Sequence, residues 1–170
     1  MTITDKYVLF WDGVLSNWHY VTDFVVEVNG EVLVFPTSEH LFMYLKAIYF
    51  DDEDIAEKIL IVPTPKAAKK LGRQVKGFSD KTWNTVKEDL MYKCLELKCK
   101  ACPEFKDELL KDEYKDKIFV EASPFDKIWG IGLDEHNPDS KDETKWRGLN
   151  LLGKTLTKLR DDIRGNKTSV

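Results

Sequence analysis

The sequence predicts an α+β fold in which helix predominates, and three observations carry that prediction. Phe24-Val25-Val26-Glu27-Val28 and Glu31-Val32-Leu33-Val34-Phe35 flank Asn29-Gly30, a dipeptide suited to the positive φ angles of a type I′ turn. Helix-opening signals then recur: Thr37 or Ser38, Thr64 followed by Pro65, and Ser79 or Asp80, each ahead of apolar residues at helical spacing. Other strand-like runs are few and short, so the pattern is a few early strands followed by several helices.

In chain order, Tyr7-Val8-Leu9-Phe10 is a short strand broken by Trp11-Asp12-Gly13, and Leu15-Ser16-Asn17-Trp18 is a loop of polar and aromatic residues. The Asn29-Gly30 hairpin follows. Pro36 ends it, and the helix opening at Thr37-Ser38 is apolar almost all round, the signature of a buried helix. Asp51-Asp52-Glu53-Asp54 marks the acidic start of a helix from Ile55 to about Val62. A short basic helix begins at Pro65, bounded by Gly72 and Gly77. The longest helix follows Ser79, with Trp83, Val86, Leu90, Cys94 and Leu97 at helical spacing, and another begins at Pro103. Ile118-Phe119-Val120 is a strand. Phe125 to Gly132 is a glycine-punctuated loop, and Asp134 to Thr144 is polar and expected to be mobile. The final helix buries Leu151, Leu152, Leu156 and Leu159. A chain of 170 residues is expected to form a single domain over residues 1–164, with residues 165–170 as a flexible C-terminal tail.

Composition excludes several classes of function. With 42% hydrophobic residues and five Trp the chain builds a substantial core, and a net charge of −4 makes it no generic polyanion binder. No run approaches the length of a membrane span, and the first residues lack a signal-peptide pattern, so a cytoplasmic location is expected. Three cysteines do not suggest a disulfide scaffold. Cys99-Lys100-Ala101-Cys102 has the spacing of half a zinc site, but no second pair completes four ligands, and no metal is expected.

Spacing alone also picks out one helix face. At 100° per residue, Glu39, Met43 and Lys46 fall on one side of the buried helix, and buried charges need partners. Asp126 lies in a loop between Pro124 and Trp129. Carboxylates beside aromatic residues suit glycosidic hydrolysis, in which one group protonates or orients the leaving group and another guides water or stabilises an oxocarbenium-like centre. His40, within an apolar segment, fits a core or capping role.

The order of short motifs along the chain resembles the YbiA-like, or NADAR, family. They are Leu15-Ser16-Asn17-Trp18; Ser38-Glu39-His40 with Lys46-Ala47; Ala68-Lys69-Lys70-Leu71-Gly72-Arg73; and Trp83 with Lys87 and Met91. Further on come Glu121-Ala122-Ser123-Pro124-Phe125-Asp126-Lys127-Ile128-Trp129-Gly130-Ile131-Gly132 and Gly148-Leu149-Asn150-Leu151-Leu152-Gly153 with Arg160. The resemblance implies a small, chiefly helical α+β domain with an N-terminal β-hairpin and a small sheet. It implies N-glycosidic hydrolysis of a phosphoribosylated or ADP-ribosylated compound, foremost the phosphoribosylamino-pyrimidines of riboflavin synthesis. Removal of ADP-ribose from guanine in modified nucleic acid is one alternative, and a non-catalytic domain binding ADP-ribose or a related nucleotide is another. It implies no metal and no redox cofactor, and leaves the oligomeric state open. Carried over by position, it makes Glu39, Asp126 and Lys46 catalytic candidates, with Asn17, Arg73, Trp83, Trp129, Gly130 and Asn150 binding substrate. Trp18 stands where the family usually has Phe, and Met43 where it often has Gln.

Overall fold

The computed structural model describes the backbone of residues 1–168 and side chains through residue 165. Among the described residues there are five strands and six helices, with three short 3-10 turns between α5 and α6. The strands are β1 (Thr2–Ile3), β2 (Tyr7–Phe10), β3 (Val25–Val28), β4 (Glu31–Val34) and β5 (Ile118–Glu121). The helices are α1 (Ser38–Tyr49), α2 (Glu53–Ile61), α3 (Pro65–Gly72), α4 (Asp80–Ala101), α5 (Pro103–Leu109) and α6 (Leu151–Thr168). This is the helix-rich α+β fold that the sequence predicts. The chain packs as two compact units, residues 1–16 with 107–170, and residues 17–106.

In the first unit the sheet order is β1-β2-β5. β1 runs antiparallel to β2, while β2 and β5 are parallel, in register from Tyr7↔Ile118 to Phe10↔Glu121. All four residues of β2 are buried, as expected of a central strand covered on both faces. Tyr7, Leu9, Val120, Ala122, Ile131 and Leu133 form the core there, with Trp146 packed against it. Arg160 of α6 is nearly inaccessible; its guanidinium donates to the carbonyls of Tyr114 and Lys117 and lies 5.2 Å over the Phe119 ring. That arginine ties the last helix to the turn entering β5.

The second unit holds the hairpin. β3 and β4 pair antiparallel from Val25↔Val34 to Val28↔Glu31, and Asn29 and Gly30 take φ of 51° and 82°, the two positive angles that the turn requires. Helix α1 packs against α2, α3 and α4. Asp52 caps α2 by accepting from the Ile55 N–H at 3.1 Å and also accepts from the Lys76 N–H at 2.8 Å. Those two N–H donors hold the Asp52 carboxyl below the usual carboxylate range.

Two expectations change. The segment expected to be polar and mobile, residues 134–144, is ordered by two 3-10 turns, Pro138–Lys141 and Glu143–Lys145. Asn137 and Asp142 side chains accept from nearby N–H groups, Ser140 is fully buried, and the Trp146 indole donates to the Ser140 carbonyl at 2.8 Å. Asx turns of this kind satisfy a polar segment locally. At the C-terminus, α6 continues through Thr168, because each added residue of an established helix gains one backbone hydrogen bond. Ser169 and Val170, the end of the segment expected to be a tail, lie outside the described residues.

One buried cation yields a pH prediction. Lys98 of α4 is fully buried, its ammonium 4.5 Å over the Phe105 ring. Burial lowers its pKa to about 8, against the opposing influence of Cys94, Cys102, Cys99 and Glu104. The folded chain therefore binds this proton more weakly than the unfolded chain does, and the Lys98 contribution to stability rises with pH between about 8 and 10.5. Burial raises the Cys94 thiol well above its ordinary value, which opposes that rise above pH 9. Comparing Lys98→Met with the parent isolates the lysine. The variant's stability relative to the parent should fall by up to about 3 kcal/mol between pH 7 and 10.5 in urea titrations. A difference that does not vary with pH would mean that Lys98 is solvated.

Candidate active site

Candidate residues occur in both units. In the second, everything about Glu39 follows from the way α1 begins. Thr37 is extended, and its hydroxyl accepts from the His40 N–H at 3.2 Å. The same hydroxyl lies 2.7 Å from His40 Nδ1, and His40 Nε2 lies 2.9 Å from the Val62 carbonyl. Because a carbonyl only accepts, Nε2 carries the proton and Nδ1 receives the threonine hydroxyl. Burial lowers the His40 pKa, with the Val62 hydrogen bond opposing, so the ring is a neutral clamp between the α1 cap and the end of α2.

Asn17 completes the first turn. Its carbonyl accepts from the Glu39 N–H at 2.9 Å, its side-chain Oδ1 accepts from the Ser38 hydroxyl at 2.9 Å, and its amide donates toward Met91 Sδ at 3.5 Å. The Cys94 thiol donates to the Ser38 carbonyl at 3.4 Å. Asn17 is only 5% exposed, so the structure places it as a residue that positions Glu39. Glu39 itself is buried in the first helical turn, where the helix dipole favours negative charge.

Two turns on, Lys46 is buried with its ammonium 4.6 Å from the Phe78 ring centre and 5.1 Å from that of Trp83. Trp83 is held in turn by Phe42 at 5.5 Å and Phe50 at 6.2 Å. Among the described residues no carboxylate forms an ion pair with Lys46 within bridging distance; aromatic faces surround it instead. Burial lowers its pKa first; Glu39 and Asp80 oppose the shift, while Arg73 adds to it. Arg73, the exposed C-cap of α3, thus joins Lys46 in a common positive field. Phe78 is the site residue that motif reading missed. Its only sequence signal is an aromatic side chain just ahead of the Ser79 cap.

Met43, between Glu39 and Lys46 on the helix face, packs on α3. A Cβ on Gly72 would sit 2.0 Å from Met43 Sδ, so the absence of a side chain at Gly72 is what admits the thioether.

In the first unit the loop after β5 is set by two side chains. The Ser123 hydroxyl accepts from the N–H groups of Phe125 and Asp126, at 3.3 and 3.1 Å. Asp126 Oδ1 accepts from those of Ile128 and Trp129, at 2.9 and 2.8 Å. Trp129 is half-buried. Gly130 is buried where the chain turns back on itself: a Cβ there would meet the carbonyls of Asp126 and Glu121 at 2.9 Å. Asn150 is fully buried, at a positive φ of 53°. Its Oδ1 accepts from the Glu121 N–H and its amide donates to the Phe119 carbonyl, each at 3.0 Å. Both ends of this amide hold β5, so Asn150 acts on the adjoining loop as a positioning residue. Among the described residues no group of three or more His, Cys, Asp or Glu is placed to hold a metal ion, and no helix is long and apolar enough to cross a membrane.

Comparison with known proteins gives a consistent match. The NADAR domain model matches residues 9–164. The chain is 36% identical over 168 residues to N-glycosidase R617 of Acanthamoeba polyphaga mimivirus, covering 94% of this chain and 97% of that protein. It is 33% identical over 138 residues to N-glycosidase YbiA of Escherichia coli, covering 81% of this chain and 75% of that one. The NMR structure of E. coli YbiA superposes with a TM-score of 0.72 and 29% identity, covering 99% of this chain and 91% of that chain. Riboflavin biosynthesis protein PYRR of Zea mays is 31% identical over 164 residues, 91% of this chain but only 24% of that longer protein.

Two packing predictions follow from this geometry. Gly72→Ala should destabilise by about 1–3 kcal/mol in denaturant titrations, because the new methyl displaces Met43. Met43→Ala in the same chain makes room for it, so the double variant should lose less than the two single losses combined; strictly additive losses would show that the two residues do not touch. Asn150→Ala should cost at least about 2 kcal/mol, since it orphans two buried backbone groups of β5 and places alanine at a positive φ. A melting temperature equal to the parent's would refute the clamp.

Proposed function

The chain belongs to the NADAR domain family, and on that premise we propose that it hydrolyses the N-glycosidic bond of a phosphoribosylated or ADP-ribosylated compound. The observation that carries the proposal is the α1 face. A carboxylate is fixed in the first turn by Asn17 and the Thr37 cap, and a cation two turns along is enclosed by Phe78 and Trp83. Cleavage of an N-glycosidic bond develops positive charge at the anomeric carbon, and a carboxylate oriented in advance stabilises that charge without reorganising. Glu39 takes this role, either by facing the oxocarbenium-like centre directly or by activating the water that attacks it.

Lys46 and Arg73 are assigned to phosphate. An ammonium between aromatic faces keeps its N–H groups available for an anion, which a lysine already paired with a carboxylate does not. Trp83 offers a face to the heterocyclic base. For Asp126 and Trp129, in the other unit, the family resemblance alone implies a part in ribose or acid–base work and in base binding. Asn17, Gly130 and Asn150 serve by holding backbone in place.

Riboflavin-pathway phosphoribosylamino-pyrimidines are the proposed substrates. The similarity to the maize riboflavin biosynthesis protein supports that choice, together with the N-glycosidase names of the relatives from mimivirus and E. coli. The products would be ribose 5-phosphate and the free pyrimidine.

The test is release of free base, followed by chromatography, over a panel of riboflavin intermediates, NAD, ADP-ribose and ADP-ribosylated guanine. Glu39→Gln should fold normally and lose base release by a factor of at least about 100. Undiminished turnover in that variant removes Glu39 from the mechanism.

A further inference from the structure

In the second unit, helix α4 and the hairpin enclose a groove that none of the roles above uses. Its volume is about 430 Å³, within the range of ligand clefts. One wall is β3, from Val25 to Glu27, and the other is Lys93, Leu97 and Lys100 of α4. The Asn29-Gly30 turn also lines it, and among the described residues none of β4 does, so the groove follows the edge of β3 that β4 leaves open. That edge carries unpaired backbone. The Phe35 N–H donates to the Phe24 carbonyl at 3.0 Å, and along an antiparallel pair hydrogen-bonded and non-hydrogen-bonded positions alternate. Phe24–Phe35, Val26–Leu33 and Val28–Glu31 are then the bonded pairs, and Val25 and Glu27 turn their peptide groups away from β4. The Val25 N–H donates to the Asp23 carbonyl at 2.8 Å. The Val25 carbonyl and both peptide groups of Glu27 have no hydrogen-bond partner among the described residues. An open edge of this kind is a template for another strand.

The α4 wall supplies charge. Lys93 and Lys100 lie two helical turns apart on one face, separated by about 10.5 Å along the axis, with buried Leu97 between them. Both lysines are exposed, and among the described residues neither forms an ion pair. Glu27 is the one acidic residue lining the groove among the described residues; it stands opposite Val32 on the outer face of the hairpin and pairs with neither lysine. The rest of that outer face is apolar. Val25, Val32 and Val34 are 46%, 71% and 61% exposed, and the strand register sets them side by side.

We propose that this groove captures an extended acidic segment of a partner protein as an added strand beside β3. The free peptide groups of Val25 and Glu27 match the N–H and C=O groups of another polypeptide, whereas a nucleic-acid backbone carries no amide at that spacing. Lys93 and Lys100 select carboxylates at the alternating positions that face α4. The intervening side chains fall on the outer face and extend the valine surface, which suits β-branched residues. None of the groove residues has a part in the hydrolytic reading, so the two can fail separately.

Fluorescence polarisation on the full chain tests it, with a labelled, end-capped peptide of alternating glutamate and valine as the probe. The parent should bind this peptide, and glutamine in place of glutamate should weaken binding at least about tenfold. A strand turns alternate amides to opposite edges. Methylating the glutamate nitrogens in one peptide and the valine nitrogens in another should therefore abolish binding in at least one of them. Lys93→Glu/Lys100→Glu should weaken the acidic peptide at least about tenfold and bind a lysine–valine peptide in its place. Both substituted side chains are exposed, so the variant should melt with the parent. No binding by the parent, equal affinity for the glutamine peptide, unchanged affinity in the lysine variant, or binding untouched by either methylation overturns the proposal. Displacement of the probe by single-stranded DNA as readily as by unlabelled peptide also overturns it, by assigning the lysines to phosphate. So does a dimer in sedimentation that the lysine reversal dissociates, which makes a second copy of the chain the occupant.

Discussion

A carboxylate must stay buried at the head of α1, and the packing of residues 17–106 is organised around that requirement. The first turn of any helix leaves N–H groups without partners. Here the Thr37 hydroxyl takes one and the Asn17 carbonyl another, the latter being the N–H of Glu39 itself. Ser38 is held from both sides, its hydroxyl by Asn17 and its carbonyl by the Cys94 thiol. His40 extends the clamp to the end of α2. Each contact fixes backbone next to Glu39, a residue only 8% exposed. Much of the first turn's polarity goes to holding that backbone.

The first unit meets a comparable demand with other means. Its loop after β5 has too few residues for a helix and too many turns for a strand, so side chains replace backbone partners. Ser123 and Asp126 each gather two N–H groups, and Asn150 pairs with β5 as though it were another strand residue. An amide side chain mimics a peptide group in both donor and acceptor, and asparagine tolerates the positive φ that this position requires. That combination explains why the polar side chain of the Gly148-Leu149-Asn150 motif is taken up by β5.

Most elements were legible in the sequence because local chemistry decides them. Asn29-Gly30 specifies its turn, Thr64-Pro65 its helix start, and the leucines of α6 their buried stripe. What sequence concealed depends on partners far along the chain. Nothing local marks Asn17 as the carbonyl that receives the Glu39 N–H, or Phe78 as a wall around Lys46. Composition suggests a mobile polar segment at 134–144, yet its Asx turns and the indole of Trp146 order it, because Asp and Asn are as much turn formers as charged or polar residues. β1 was missed for a simpler reason: two residues are too few to show alternation. The division of the candidate residues into those that face outward and those that only hold backbone is visible only in three dimensions.

That division bears on Met43. A methionine where the family resemblance implies glutamine at first suggests altered recognition, since an amide would be lost beside Glu39 and Lys46. Its packing points elsewhere. The thioether lies in the space that Gly72 leaves on α3, at a distance where any side chain on that glycine would collide with it. Methionine is the residue that fills such irregular gaps, and it sets the spacing of α1 against α3, whose C-cap is Arg73. Met43 thus bears on the packing of α1, which carries Lys46, against α3, which ends at Arg73. Lys46 depends on that packing more than a paired lysine would. Ring faces stabilise its charge only over a short range, and burial already favours losing the proton. A shift of α3 that moved Arg73 closer would depress the Lys46 pKa further, and one that moved it away would ease that depression but separate the two cations assigned to one phosphate. The Met43–Gly72 contact is a point of close approach between α1 and α3, so its loss is the change that would alter that packing.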